Sequence, residues 1–320
     1  MIGRRHLPTL FLVLSLVGIG VLSANSGALN PYFLDVAVGA GINIILAVSL
    51  NLVNGHTGQF SLGHAGFMAV GAYAGAAVTL FAGPAVLVGT EAALPHALLF
   101  LGALTVAGLV AAFAGLAVGL PSLRLHGDYL ALVTLGFGEI IRVLLQNCEP
   151  LGGALGLFGL PAYTTLGWTF GAAAITIYTV HMLVNSTRGL GFHAVRDDEL
   201  AARASGLDLT RIKLSAFLVG AFFAGVAGAL FAHFKLSIDP KGFDFTRSVE
   251  IVVMVILGGM GRTWGVVTAA VVLTVLPEYL REFSDYRMVS YALILVLLML
   301  LRPHGIFGEK RPTPPPPTRP

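Results

Sequence analysis

Long apolar runs, separated by short polar interruptions, make up most of this chain. A helix needs roughly 20 apolar residues to cross the hydrocarbon core of a bilayer, and several runs reach or approach that length. They lie near residues 7–22, 33–53, 65–82, 96–119, 129–147, 167–184, 214–232, 264–280 and 288–301. The pattern therefore predicts an all-α polytopic membrane protein.

One further apolar run, residues 249–257, is too short to assign by length alone. It precedes a glycine cluster that we interpret as a hinge or close-packing contact, Gly258, Gly259 and Gly261. Counted as a span, the run gives about ten transmembrane helices with both termini in the cytoplasm. If residues 249–280 form a re-entrant hairpin instead, the count is eight and the orientation is unchanged.

Composition and motifs narrow the class. The 320 residues are 56% hydrophobic and only 11% charged, whereas soluble domains carry about 25% charged residues. The single cysteine, Cys148, excludes an intrachain disulfide and a cysteine-cluster metal site, and no HExxH motif is present. The sequence also lacks G-x-x-x-x-G-K-[ST], the phosphate-binding loop of many ATPases. We therefore predict no metal site and no catalytic residue, and ATP-driven transport would need another subunit.

Basic residues are distributed unevenly over the predicted loops. Of the 19 Lys and Arg residues, thirteen fall on one side of the ten-helix arrangement, five on the other and Arg142 within a span. The positive-inside rule places the richer side, which includes residues 185–213, in the cytoplasm.

We interpret the first apolar run as an uncleaved helix, with a signal peptide removed near residue 28 as the alternative. We predict that residues 1–301 form the transmembrane domain and that residues 302–320 form an extended, proline-rich, disordered cytoplasmic tail.

The cytoplasmic loop 185–213, here called the elbow, carries local signals for helices. Asp198 can N-cap a short helix with Glu199 in its first turn, and Gly206 stands where a C′ glycine would end that helix. Asp208 can cap the helix that follows. We therefore expect a compact elbow along the cytoplasmic membrane face, a shape that a soluble partner can grip.

A glycine-rich stretch, residues 51–75, places polar side chains between two apolar runs. Non-helical backbone at membrane depth is tolerated only where protein buries it or it lines a watery cavity. The alternative is a tight cytoplasmic turn, followed by a Gly71-xxx-Gly75 packing face. A serine–histidine hydrolase is a weak third possibility, because no GxSxG motif surrounds the serine. The candidates for a translocation path here are Gly58, Gln59, Ser61 and His64.

Two opposite charges, Glu139 and Arg142, lie inside an otherwise apolar run. Three residues apart, they share a helix face and can pair, and Glu139 lies ~15 Å from the start of the run at Tyr129. Each charge at that depth costs about 2.5–3.5 kcal/mol on insertion scales, so both are expected to face the bundle interior. The pair either contacts a zwitterionic solute on the translocation path or is a self-satisfied ion pair that holds helices in register.

Two predicted outer loops differ in character. Residues 149–168 are rich in glycine, and residues 233–247 carry charges of both signs. They either form a docking surface for a soluble extracytoplasmic protein or are solvated loops without a partner.

Six segments together resemble the LivM-type permease subunits of branched-chain amino-acid ABC importers, and the resemblance covers nearly the whole chain. Each segment alone is a weak signal, whereas the set is highly specific. The segments are GHTGQFSLGHAGFMAVGAYAG (55–75), LRLHGDYLALVTLGFGEIIRVLLQN (123–147), AVRDDELAARASGLDLTRIKLSAF (194–217), VILGGMGRTWGV (255–266), LPEYLREFSDYRM (276–288) and RPHGIF (302–307).

The resemblance implies a type I ABC importer permease in the bacterial cytoplasmic (inner) membrane, working by alternating access. The partners it implies are a second, LivH-like permease, two cytosolic LivG/LivF-like ATPases and an extracytoplasmic amino-acid-binding protein, with no nucleic acid. The chain itself would bind no cofactor, since the partner subunits use the ATP. The alternatives are a urea or short-amide importer, an ATP-independent channel or carrier, and a membrane scaffold.

The resemblance also implies that the elbow contains the ATPase-coupling signature. Leu200 separates the glutamate from the two alanines, so the match to that signature is approximate. A second departure is EPLGGALGLFG (149–159), which replaces the family's threonine-glycine-glycine-proline-asparagine-glycine run, so binding-protein docking or substrate preference can differ there. The coupling residues are Asp198, Glu199, Ala201, Ala202 and Gly206.

Overall fold

The computed structural model describes most of the chain between Asn30 and Leu280. The described residues are 30–86, 93–123, 125, 127–280, 293 and 296. Three of the sequence predictions lie outside them: the first apolar run with its alternative as a signal peptide, the run 288–301, and the tail 302–320.

The described residues form ten labelled helices and two short strands. The helices are α1 Pro31–Asn51, α2 His64–Ala77, α3 Ala93–Ser122, α4 Asp128–Gln146, α5 Leu166–Val184, α6 Thr187–Asp197, α7 Glu199–Ala204, α8 Leu209–Lys235, α9 Phe245–Gly258 and α10 Thr263–Tyr279. A π-helical turn extends α1 over Leu52–His56, and another extends α2 over Val78–Ala82, followed by a helical turn Gly83–Val86. Short 3-10 turns cover Glu149–Leu151, Gly153–Leu155 and Pro240–Phe243, and the strands are β1 Leu157–Phe158 and β2 Ser237–Ile238.

Side-chain caps begin several of these helices, which explains their boundaries. A capping oxygen accepts a hydrogen bond from an N–H that has no partner inside the helix. Asn30 accepts from Tyr32 N at the start of α1, at 3.0 Å. Asp244 accepts from Arg247 N at the start of α9, at 3.1 Å.

Six helical segments within the described residues are long and apolar enough to cross a membrane. They are Pro31–His56, His64–Ala82, Leu94–Ser122, Tyr129–Gln146, Leu166–Val184 and Leu209–Lys235. All six fall on runs predicted from the sequence, so the multi-pass helical fold is confirmed. The count of about ten spans is not confirmed, because α9 has only 14 residues and α10 only 17, which corresponds to ~21 Å and ~26 Å.

The centre of the bundle is packed through small residues. A Cβ on Gly71 of α2 would overlap the backbone of Gly225 in α8, and one on Gly228 would overlap the backbone of Met68. Close backbone approach of this kind is how helices associate in a membrane, where lipid is as apolar as leucine. Burial follows the same arrangement. In an apolar stretch of 18 residues from each helix, 83% of the residues of α1 and 67% of those of α8 are buried, against 17% of those of α4. Helices α1 and α8 are therefore central, and α4 is peripheral.

The two ends of the bundle are made of different connections. One end, here called the elbow end, is where three segments meet: residues 55–62, 194–213 and 259–262. At the other, the opposite end, β1 pairs antiparallel with β2, with Leu157 facing Ile238, and Leu160 N donates to Leu236 O at 3.1 Å. The pairing joins the two loops that the sequence analysis predicts to lie outside the membrane.

Candidate functional site

The elbow has the local structure that its sequence predicts. Asp198 Oδ1 accepts hydrogen bonds from Leu200 N at 2.8 Å and Ala201 N at 3.0 Å, capping α7. Gly206 follows the end of α7 with a φ of +81°, a conformation that glycine adopts without steric cost. Asp208 Oδ1 accepts from Arg211 N at 3.1 Å and caps α8. Helix α6, which precedes α7, was not predicted.

The elbow is fastened to the bundle by an ion pair. Lys213 Nζ lies 2.5 Å from Glu199 Oε1, and the Lys213 side chain is only 4% exposed. Ala202 packs with Val195 and Leu209 in a small apolar cluster of its own, whereas Ala201 is exposed. Helix α7 is therefore held to the first turns of α8 by one charged and one apolar contact.

Residues 57–63 interrupt the helices between α1 and α2 and are mostly covered by protein. Leu62 N donates to Thr134 Oγ1 of α4 at 3.0 Å, and Ala65 N donates to Ser248 Oγ of α9 at 3.4 Å. Thr134 lies six residues into α4, about 9 Å along its axis. The break is therefore covered by α4 and α9 at the elbow end of the bundle, and its position at membrane depth remains a prediction.

The polar candidates in this break, Gln59, Ser61 and His64, are buried, and each makes a hydrogen bond within the chain. Gln59 Nε2 donates to Thr57 Oγ1 at 2.8 Å and to Lys213 O at 3.4 Å. His64 Nε2 lies 2.9 Å from Ser49 Oγ, while Ser61 N donates to Asn54 Oδ1 at 3.2 Å. The recorded partners of Ser61 and His64 are thus other residues, an arrangement that does not support a serine–histidine hydrolase.

Arg196 brings the break, the elbow and the turn after α9 together. Its Nη1 donates to Gly55 O at 3.4 Å, and a Cβ added to Gly58, whose φ is +70°, would lie 3.0 Å from Arg196 Cγ. A Cβ on Gly261 would lie 3.0 Å from Arg196 Nη1, and Gly261 N donates to Asn51 Oδ1 at 2.8 Å. Nothing in the sequence pattern predicts the contact of Arg196 with Gly55 or that of Asn51 with Gly261, since these partners are distant along the chain.

The glycine cluster after α9 forms the turn into α10. Gly259 and Gly261 have φ values of +93° and +83°, which residues with a Cβ rarely adopt. A Cβ on Gly258 would overlap the backbone of Val266. The packing function predicted for the cluster therefore has a structural basis, whereas a hinge motion remains a prediction.

Glu139 and Arg142 form an ion pair on a partly exposed face of α4. Arg142 Nη2 lies 2.7 Å from Glu139 Oε2, and the side chains are 27% and 36% exposed, respectively. Within this chain the expected interior position is met only in part, because the pair is half-buried on the peripheral helix α4. Helical spacing shows that the two residues share a face but not which face other helices cover. Their contact with a solute remains a prediction.

A cavity of 330 Å³ opens at the opposite end, between α1, α8, α9 and α10. Arg247 lies in its wall, donating from Nη2 to Asn43 Oδ1 at 2.7 Å and from Nη1 to Glu250 Oε2 at 2.9 Å. Asn43 Nδ2 in turn donates to Thr274 Oγ1 at 2.9 Å. The sequence analysis did not identify this cavity, since four separate helices build it.

Comparison with known proteins agrees with this architecture. The family model described as the permease component of branched-chain amino acid transport systems matches residues 32–301. The high-affinity branched-chain amino acid transport system permease protein LivM of Salmonella typhimurium is 37% identical over 314 residues, covering 87% of this chain and 68% of that protein. LivM of Escherichia coli gives the same identity and coverage.

A second kind of permease is related over a shorter region. The permease protein LivH of Salmonella typhimurium is 30% identical over 139 residues, covering 42% of this chain and 43% of LivH. No solved structure matches the chain significantly. The match over residues 32–301 and the identity to LivM show that this chain belongs to the branched-chain amino acid transport system permease family.

Proposed function

We propose that this chain is one permease subunit of an ABC importer that brings leucine, isoleucine and valine into a bacterial cell through its cytoplasmic membrane. The LivM proteins it resembles are named for branched-chain amino-acid transport, which does not favour the urea or short-amide alternative. With the basic loops inside, the elbow end faces the cytoplasm and the opposite end faces out. The single observation that carries the proposal is the capped elbow, anchored to the bundle through Glu199 and Arg196.

The elbow gives the ATPase subunits a firm point of contact. Closure of two cytosolic ATPases on ATP would displace α7, and the ion pair between Glu199 and Lys213 would pass that displacement to α8. Arg196 would pass it to the break and to the turn at Gly261. The chain supplies no nucleotide site in this scheme, so the energy enters entirely through these contacts. ATP shifts the equilibrium between inward-open and outward-open forms only if it binds one form better.

The partner permease fits against α4. The pair Glu139–Arg142 lies 11 residues into that helix, ~16 Å along its axis, and remains partly exposed there. Charged groups at this depth face protein or a water-filled path and not lipid. A second permease of the same fold, related to LivH, would cover the pair and enclose a path between the two subunits.

The opposite end fits a soluble amino-acid-binding protein. The β1–β2 pairing holds the loops 149–168 and 233–247 next to each other, which makes one continuous surface beside the cavity. Delivery of the solute at this surface would place it at the outer entrance of the path.

Reconstitution tests the proposal directly. The chain would be co-expressed with a LivH-like permease and two ATPases, purified as a complex, and placed in proteoliposomes with ATP inside and a leucine-loaded binding protein outside. We expect accumulation of radiolabelled leucine but not of urea, and none without ATP. Uptake by the chain alone, or accumulation of urea in place of leucine, would contradict the proposal.

Variants of the elbow test its coupling function. We expect Glu199→Lys, which opposes Lys213 with a like charge, and Gly206→Leu, which strains a residue at positive φ, to leave ATP hydrolysis but lose most uptake. Arg211→Gln is the matched control, because the Arg211 side chain is 88% exposed and, among the residues that the structure describes, forms its ion pair with Asp208. Normal uptake per ATP in the Glu199→Lys variant would remove the elbow from the coupling mechanism.

A further inference from the structure

The cavity at the opposite end reaches from the outer surface toward the middle of the bundle. Asp35, close to the start of α1, lies near its mouth, and Asn43 lies further along the same helix. Asn43 is 12 residues beyond Pro31, ~18 Å along the axis. A volume of 330 Å³ is at the small end of the range found for small-molecule sites, about 300–1,000 Å³. The size suits a small solute.

Charges of both signs line this cavity. Lys235 and Arg247 contribute the cations, and Asp35 and Glu278 the carboxylates. Arg247 is paired with Glu250, and Glu278 accepts a hydrogen bond from Tyr32. Within the described part of the chain, no ion pair is recorded for Asp35 or Lys235, although the Lys235 ammonium lies 5.2 Å from the centroid of the Phe234 ring.

The position of Arg247 adds a second feature that favours an anion. Arg247, in the first turn of α9, reaches Asn43 of α1, and its side chain is 20% exposed. The guanidinium has five N–H donors, and its hydrogen bonds to Glu250 and Asn43 use one from Nη1 and one from Nη2. Arg247 and Lys235 thus make one side of the cavity suitable for a carboxylate.

Apolar side chains complete the wall. Val36 and Ile42 of α1 face the cavity, and Phe231 and Phe234 of α8 lie across from them. Aliphatic and aromatic surface of this kind favours an apolar side chain over a polar one, because burial removes the apolar surface from water.

We infer that this cavity is a solute-binding site for zwitterionic α-amino acids with an aliphatic side chain, entered from the outside after release by the binding protein. Lys235 and Arg247 hold the carboxylate, Asp35 holds the ammonium, and Val36, Ile42 and the two phenylalanines surround the side chain. The inference rests on the proposed function and adds a selective step within the permease itself.

Binding by the whole complex without its binding protein tests this inference. The purified complex of permeases and ATPases, in nanodiscs and without ATP, would be titrated with radiolabelled leucine. We expect saturable binding that excess leucine displaces. Leucinamide lacks the carboxylate, 4-methylpentanoate lacks the ammonium and glycine lacks the side chain, so each is expected to compete poorly.

Variants assign the binding to the cavity. Loss of a charge-assisted contact weakens binding about ten- to a hundredfold, so we expect shifts of that size for Asp35→Asn and for Lys235→Gln. Lys235→Arg keeps the charge and is expected to retain most of the affinity. Arg188→Gln, which removes an exposed cation at the elbow end, is the control and should bind leucine as the wild type does. Basal ATP hydrolysis shows that each variant is folded.

Two outcomes would overturn the inference. One is the absence of saturable leucine binding by the wild-type complex; the other is unchanged affinity in both Asp35→Asn and Lys235→Gln. If either occurs while the complex with its binding protein still imports leucine, only the inference fails. If that complex imports no leucine at all, the proposed function fails as well.

Discussion

The two ends of this bundle use charged residues in opposite ways. At the elbow end, the Lys213 ammonium is buried against Glu199, and Arg196 binds the carbonyl of Gly55. At the opposite end, Asp35 and Lys235 line an open cavity, and no ion pair is recorded for either of them among the described residues. Lys213 and Arg196 are thus committed to contacts within the chain, whereas Asp35 and Lys235 are available for a ligand.

This difference matches what each end has to do under the proposed function. A displacement passes between helices only if the contacts that join them are stiff, and a buried ion pair fixes the geometry of both partners. A solute is recognised only if charged groups are free to exchange water for its own charges. The elbow end is therefore built to transmit motion, and the opposite end to accept a ligand.

The largest expected effect comes from breaking the ion pair of the elbow. Glu199→Gln leaves the Lys213 ammonium buried without its carboxylate, which costs about 3–5 kcal/mol for a pair in such surroundings. We expect a clearly lower unfolding temperature in detergent and reduced uptake per ATP hydrolysed. Arg211→Gln, at an exposed pair, should change the stability by less than about 1 kcal/mol.

A double variant separates the pair from its surroundings. Glu199→Gln combined with Lys213→Gln removes both charges, so the double variant should be more stable than Glu199→Gln alone. If the stability loss of the double variant equals the sum of the losses of the two single variants, the ion pair does not hold the elbow. The contrast between the two ends is then lost.

A smaller effect is expected from the close packing of the elbow end. A Cβ on Gly55 would overlap Asn51 Oδ1 and the backbone nitrogen of Gly261, so Gly55→Ala should cost about 1–3 kcal/mol, as overpacked sites do. Thermal unfolding of the purified complex measures this loss. Gly242→Ala at the opposite end is the control, because no atom lies within 4 Å of its added Cβ. Equal stability of the two variants would show that packing does not distinguish the ends.

The smallest of the three effects is expected at the cap of α7. Asp198→Ala removes the hydrogen bonds to Leu200 N and Ala201 N, and loss of such a cap costs about 1 kcal/mol. We expect faster hydrogen exchange confined to α7, measured by mass spectrometry. Exchange that speeds up equally in the helices around the cavity would indicate that the elbow is not an independent unit.

Local signals in the sequence were sufficient for much of the fold. Six predicted runs coincide with the six helices that can cross a membrane, because hydrophobicity and length alone decide whether a helix can lie in a bilayer. The caps of the elbow were also predictable, since Asp198, Gly206 and Asp208 act on backbone groups only a few residues away. The family followed from motifs spread along the chain.

Only the tertiary structure decided which of these residues meet. Arg196 contacts Gly55 and Asn43 contacts Arg247 across large separations in sequence, and helical periodicity carries no information about the neighbour of a face. For the same reason the sequence placed Glu139 and Arg142 inside the bundle, whereas they lie on its least covered helix. The apolar pattern thus determined that the chain crosses a membrane, and helix packing alone determined where its charges are paired and where they line a cavity.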